Sequence, residues 1–337
     1  MRIPGSALRT LLAASLVAML AVGGCTSAKA PATGDTSGTP GAGIKPAPVR
    51  IGTLATQDSL PLWVAEEKGY FAKAGLASVQ IVPFQSAVEE QAAFMAGAVD
   101  MLMTDLIVAT DLRAAGTKVI IPTVMLGADT AQGRFAIVGA PKTSFKSMGD
   151  LKNVPVGTSS STITEYVLDK LMEEAGVPAA GVKKEEVKKM PVRFELLMTG
   201  QLKAAALPEP FVTLAEQQGA HVVPGGDDTK ATENLSQSVL CVNQKFAVSP
   251  GGAAALKLLL GTWDQAVADI NASPDSFRQT LVSKARLPEP LAGTYNVGSY
   301  PKVTPPSAAD IQKVLDWMTQ KGYLKTPVTP QDLLEGK

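Results

Sequence analysis

The sequence predicts an α/β protein of two lobes, each a mostly parallel sheet flanked by helices. Three observations carry the prediction. Short apolar, β-capable runs alternate with helical patterns three times between residues 51 and 126, with no tight hairpin signal between them; such an order calls for a parallel sheet with right-handed crossovers. The same alternation restarts after Gly133. Two stretches, near residues 133–136 and 236–240, read as crossings that join one array to the other.

Taken in order, residues 1–24 have a basic start (Arg2, Arg9), an apolar run of about a dozen residues and the small pair Gly23, Gly24 before Cys25. That is the layout of a secretory signal, too short for the roughly 20 residues of a spanning helix. Val22-Gly23-Gly24-Cys25 resembles a bacterial lipobox, which implies cleavage before Cys25 and lipidation of its sulfur. Residues 26–48 are poor in large apolar groups and rich in Pro, Gly, Ser, Thr and Ala, so residues 25–48 read as a lipidated cysteine and a flexible tether. Such a tether spans roughly 25–30 Å.

The run 51–55 is a buried strand, Gln57, Asp58 and Ser59 supply turn and cap oxygens, and Pro61 suits a first helical turn. Leu62, Trp63, Val64 and Ala65 give the helix a face, and Gly69 ends it. Ser59 can serve as a helix cap or as part of a site lip, because in open α/β sheets ligands bind outside the carboxyl ends of the strands. After a strand at 79–83, Ser86 with Glu89 forms a capping box for a helix whose Val88, Ala92 and Met95 recur on one face, ended by Gly97. The strand 99–103 delivers Thr104 and Asp105; a helix at 106–115 stops at Gly116, and a strand follows at 118–126.

In the second array, strands are expected at 134–138 and 154–157. Gly157-Thr158-Ser159-Ser160-Ser161-Thr162 then opens a helix with Thr162 and Glu165 as its capping box. A helix start so rich in hydroxyls and free N–H groups can hold an anionic group, or can be a generously furnished cap. A strand at 202–207 ends in Pro208-Glu209-Pro210-Phe211, placing a carboxylate at its edge. The run 237–242 is the return strand, with Cys241 a buried small hydrophobe, and helices at 251–270, 274–286 and 307–322 complete the chain. The domain plan is therefore leader 1–24, tether 25–48, first lobe 49–134 with 238–337, and second lobe 135–237.

Of the 337 residues, 45% are hydrophobic and 18% charged, ordinary globular material for two lobes. Basic and acidic residues number 31 each; loss of the leader removes Arg2 and Arg9 and leaves 29 against 31, so nothing suggests nucleic acid as a partner. Two cysteines make no disulfide framework and one histidine makes no multi-histidine metal site. His221 begins a strand-like run, and the glycine pairs lack dinucleotide or P-loop spacing, so no cofactor and no enzyme chemistry is expected.

The polar turn, then PLWVAEEKGYF and AGL, then FQSAVEEQAAFMAGAVDMLMTD, is similar in its order to the solute-binding proteins of the nitrate/sulfonate/taurine and thiamine-precursor group of ABC importers. The resemblance runs from about Val49 to the C-terminus and is strongest before Gly176; the segment MGDL at 148–151 resembles the family's entry to its second lobe. It implies a periplasmic-binding-protein-like fold of type II and a small-molecule solute held between the lobes. It also implies an ABC permease and, through it, an ATPase subunit as partners, and a monomer lipid-anchored on the periplasmic or extracellular side of a bacterial membrane. Two alternatives stand beside it: a ligand-sensing lipoprotein for a signalling partner, and an enzyme of the thiamine-pyrimidine branch, whose cysteine-rich motif this chain lacks. By position, the resemblance places the ligand against Gln57, Asp58, Ser59, Ser86, Thr104, Asp105, Ser159, Ser160, Ser161, Thr162 and Glu209, with Trp63 and Phe211 as apolar walls. Asp105 and Glu209 add negative charge to such a cleft. That suits a small organic molecule with both acceptor and donor groups, such as an amino-sulfonate or an aminated heterocycle, better than an inorganic anion.

Overall fold

A computed structural model of the chain describes residues 44–336. The expected leader, Cys25 and the tether up to residue 43 lie outside the described residues. Two five-stranded mixed sheets with flanking helices make up the body. The first contains β1 (Val49–Leu54), β2 (Val79–Phe84), β3 (Met101–Asp105), β4 (Val119–Leu126) and the late strand β10 (Ser238–Asn243), in the order β2-β1-β3-β10-β4. The second contains β5 (Phe135–Gly139), β6 (Pro155–Thr158), β7 (Lys183–Glu186), β8 (Ala204–Pro208) and β9 (His221–Asp227), in the order β7-β6-β8-β5-β9.

The two orders are one pattern used twice. In each sheet one strand runs antiparallel, and it is the strand that has just crossed from the other: β10 lies antiparallel between β3 and β4, and β5 antiparallel between β8 and β9. The expected mostly parallel sheets are thus present, each with its crossing strand reversed. β3 and β8 are buried along their whole length, as apolar runs covered on both faces should be. The edges are managed differently. β7 is Lys-Lys-Glu-Glu and β2 carries Pro83, both features that discourage further pairing.

One apolar cluster packs the helices Leu60–Glu67 and Pro250–Ala272 under the first sheet through Leu62, Trp63, Trp263 and Ile270. A second fills the far face of the second sheet with Val138, Leu207 and Phe211. A third spans both sheets, joining Leu102 and Leu112 to Val156, Tyr166 and Trp317. There the helix Ala308–Gln320 lies against Ile163–Glu174: Trp317 meets Tyr166 edge to face at 5.2 Å and donates its indole N–H to Asp169 at 3.2 Å. Lys321 and Lys184 close on Asp169, and the Tyr323 hydroxyl donates to Glu165 at 2.8 Å. This joint fixes the spacing of the two sheets on one side of the cleft.

Helix ends follow the sequence in part. Ser86 accepts the Glu89 N–H as expected, at 3.2 Å, whereas the Glu89 carboxylate takes the N–H of Gln85. The helix Ala87–Met95 is rotated from its expected phase: Glu90 and Phe94 face the sheet, while Val88 and Met95 are 39% and 60% exposed. Phe94 is the larger apolar group, and a helix turns its bulkiest apolar residue inward. Thr162 does not cap with its side chain; its hydroxyl donates to Ser159 O, and Glu165 takes the N–H of Ser161 at 2.8 Å. Gly127, at φ +81°, sits so close to Ser236 that a Cβ there would fall 1.8 Å from the Ser236 carbonyl oxygen, so glycine lets the end of β4 lie against the second crossing. Among the described residues, no helix is long and apolar enough to cross a membrane, and no group of acids, histidines and cysteines could hold a metal ion.

Candidate functional site

The carboxyl ends of β1, β3, β6 and β8 point toward one another, and a cavity of about 80 Å³ lies between them, bordered also by both crossings near Arg134 and Ser236. That is several times the roughly 10–15 Å³ a single water needs. Of the residues expected to meet a ligand, Gln57, Asp58, Ser86, Thr104, Asp105, Ser159, Thr162 and Glu209 line it together.

The wall from the first sheet is acidic. Asp58, just after β1, is partly buried and accepts from the hydroxyls of Thr56, at 2.6 Å, and Ser238. Burial pushes its carboxyl up, against those hydrogen bonds. Asp105 ends β3 and caps the helix Leu106–Ala114, accepting from Val108 N–H at 2.8 Å; its other oxygen reaches across to the N–H of Ile163 at 3.2 Å. Burial lifts Asp105 to about 6. Beneath them Glu90 is fully buried, and neither of its oxygens has a hydrogen-bond partner among the described residues. Burial, then the charges of Asp58 and Asp105, raise it well above its ordinary value. No lysine or arginine among the described residues pairs with Asp58 or Asp105.

Glu209 is held differently. Arg134, at the first crossing, donates to Glu209 at 3.2 Å, to Glu216 at 3.1 Å and to Asp227 at 3.1 Å, and Thr213 adds its hydroxyl and N–H to Glu209. The Glu209 carbonyl also accepts the Gln57 N–H across the cleft at 3.3 Å. This carboxylate is therefore answered by a protein cation, and Asp58 with Asp105 remain to face a ligand.

The hydroxyl-rich helix start of the second sheet is also occupied. The Ser160 N–H and hydroxyl go to Glu186, the Ser161 hydroxyl crosses to Asp111 at 2.7 Å, its N–H goes to Glu165, and the Ile163 N–H goes to Asp105. The segment does receive anions, but they are the protein's own carboxylates. Ser160 and Ser161 thus turn away from the cavity, while Ser159 and Thr162 stay on it. Ser59 lies beneath, donating to Leu54 O at 2.9 Å in place of a helix cap. Trp63 and Phe211, expected as walls, are in the two cores, because the apolar face each belongs to packs on its own sheet. Apolar walls come instead from Leu54, Met103, Leu126, Phe135 and Met190.

Arg193 is the residue that reasoning from sequence misses. It sits in the helix Met190–Met198, 1% exposed, and lines the cavity. Its Nε and Nη2 donate to Val187 O and its Nη1 to Ala206 O, at 2.8–3.0 Å. No carboxylate among the described residues pairs with it; burial lowers it to about 10, still cationic at neutral pH. The helix pattern MPVRFELLM gives no sign that its one arginine turns inward. His221, by contrast, begins β9 as expected and does not reach the cavity.

The family described as NMT1/THI5 like matches residues 56–275, about two thirds of the chain. The chain belongs to the NMT1/THI5-like family. Among solved structures it is similar to the periplasmic aliphatic sulphonate binding protein SsuA from Escherichia coli, with 18% identity, a TM-score of 0.70 and coverage of 86% of this chain and 92% of that one. It is similar to the alkanesulfonate-binding protein SsuA from Xanthomonas axonopodis pv. citri bound to MOPS (18% identity, TM-score 0.69, 85% and 96% covered). It is also similar to the periplasmic nitrate-binding protein NrtA from Synechocystis PCC 6803 (14% identity, TM-score 0.67, 85% and 84% covered). No curated protein matches by sequence. The NMT1/THI5-like chain has the fold of these periplasmic binding proteins.

Proposed function

We propose that this NMT1/THI5-like protein is an extracytoplasmic solute-binding protein, tethered through a lipid on Cys25, that captures a small organic solute and delivers it to an ABC permease and its ATPase. The lobes of this reading are residues 49–134 with 238–337, and residues 135–237, moving about the two crossings and closing on the solute as a monomer. The solute class is that of sulfonates, taurine and thiamine precursors, taken up with a donor group facing Asp58 and Asp105.

One observation carries the ligand chemistry: two carboxyl groups, Asp58 and Asp105, line the cavity and are met by hydroxyl and amide donors but by no protein cation. Carboxylates in a closing, water-poor cleft cost several kcal/mol unless a cation or further donors meet them. A solute bearing an amine or amidine supplies that partner; nitrate supplies none. Binding is supported further by polar contacts that already cross the cleft, Gln57 to Glu209, Asp105 to Ile163 and Lys189 to Glu89 at 2.9 Å, which a closed form can reuse.

Thermal-shift screening of the full chain against nitrate, ethanesulfonate, taurine and an aminopyrimidine tests the reading, with Asp58→Asn in parallel. A solute at a hundred times its Kd stabilises by about 2.7 kcal/mol, a rise of roughly 4 °C for a chain of this size at about 2.1 cal/mol/K of unfolding entropy per residue. Taurine or the aminopyrimidine is expected to give that shift in wild type and less in Asp58→Asn. A shift by nitrate that Asp58→Asn leaves unchanged would sink the proposal.

A further inference from the structure

We infer that Arg193 is the anchor for an acidic group of the solute, so that the cavity is built for a zwitterion: an anion on Arg193 and a cation on Asp58 and Asp105. This rests on the solute-binding reading above and names the solute more closely.

Arg193 is a guanidinium enclosed in protein, on the wall of the cavity, with no carboxylate of the described residues within ion-pair distance. A guanidinium has five N–H donors in a fixed fork. Three of them go to the carbonyls of Val187 and Ala206, which leaves two without a partner among the described residues. The two carbonyls hold the fork rigidly, so it is organised before any solute arrives. Buried cations are ordinarily paired, and the acid whose charge acts on Arg193, Glu186, is already taken by the N–H and hydroxyl of Ser160. The rival anion receptor, the helix start at Ile163, holds Asp105. A planar fork with free donors matches a carboxylate or sulfonate through two parallel hydrogen bonds. Lys188, exposed at the mouth of the same cavity, adds a second positive charge on that side. The acids stand at the ends of β1 and β3 on the first sheet and the cation on a helix of the second, so one small zwitterion that satisfies both would also tie the sheets together.

Titration calorimetry on the full chain tests this with taurine, 2-aminoethanesulfonamide (which keeps the ammonium but has a neutral sulfonyl end), ethanesulfonate and ethanolamine, using wild type and Arg193→Lys. Taurine is expected to bind wild type at least tenfold more tightly than the sulfonamide and than either half-molecule, and at least tenfold more weakly to an Arg193→Lys variant that still melts cooperatively. A sulfonamide that binds as well as taurine, or an Arg193→Lys variant of unaltered taurine affinity, overturns the inference. β-Alanine serves as the carboxylate probe, and binding of either zwitterion in the expected order supports it. If Arg193→Lys does not fold, the wild-type comparison of taurine with the sulfonamide decides alone. Binding of uncharged or purely cationic solutes with neither zwitterion bound would overturn the anchor while leaving the solute-binding reading intact; no binding of any small solute would end both.

Discussion

Replacing Asp105 by asparagine isolates one carboxyl at the centre of the cavity. In the folded chain burial lifts it to about 6, despite the N–H groups of Val108 and Ile163; in the unfolded chain it titrates near 4, roughly as a model peptide does. An acid whose pKa is raised by folding holds its proton more tightly in the folded state. It therefore detracts from stability at neutral pH, and the loss is recovered as pH falls from about 6 toward about 4. Two pKa units correspond to about 3 kcal/mol, of which about 2–3 is recovered between pH 7.5 and pH 4. The substituted asparagine has no proton to take up. Its amide keeps one acceptor, so it forgoes one of the two N–H bonds, a loss of about 1 kcal/mol. Urea unfolding at a series of pH values should thus find Asp105→Asn more stable than wild type by about 1–2 kcal/mol near pH 7.5 and less stable by about 1 kcal/mol near pH 4. Titrating groups other than Glu90 and Asp111, which feel the Asp105 charge, are common to both proteins and cancel in the difference. A difference that stays constant over that range would refute the reasoning.

Cys25→Ala should move the protein from the membrane to the soluble fraction of lysed cells, and a variant still pelleting with membranes would end the lipoprotein reading. His221→Ala should leave solute affinity within about threefold of wild type, because the ring lies against Gly139 and Phe145 and not on the cavity; a loss beyond tenfold, about 1.4 kcal/mol, would contradict that. Arg134→Met strips Glu209, Glu216 and Asp227 of their shared cation, and should lower stability by about 2–4 kcal/mol as an enclosed carboxylate loses its partner. An unchanged thermal melt would show that the arginine holds nothing.

Much of the fold was legible because its strands are short apolar runs placed between turn residues. β1, β3, β8 and β10 each announce themselves in that way, and the two crossings follow from where the alternation restarts. β7 could not be read: four charged residues carry no strand signal, and an edge position with solvent on one side allows them. The site was legible where position alone decides it. Asp58, Thr104, Asp105, Ser159 and Glu209 follow strand ends, and strand ends converge. Whatever depends on side-chain partners was not. Sequence cannot tell that Asp105 would fill the helix start at Ile163, or that Phe94 rather than Val88 would turn the helix Ala87–Met95 inward. Arg193 is the extreme case, a charge on an amphipathic helix that resembles any solvated charge until Val187 and Ala206 close over it.

The most direct test of the central claim is a crystal structure of the full chain soaked with the solute that raises its melting temperature most. The expected result is the solute in the cavity between the two sheets, its acidic group within about 3 Å of the Arg193 guanidinium and its donor group on Asp58 or Asp105, at ordinary hydrogen-bond distance. A solute bound elsewhere on the surface, or seated in the cavity with Arg193 still facing only Val187 and Ala206, would contradict it.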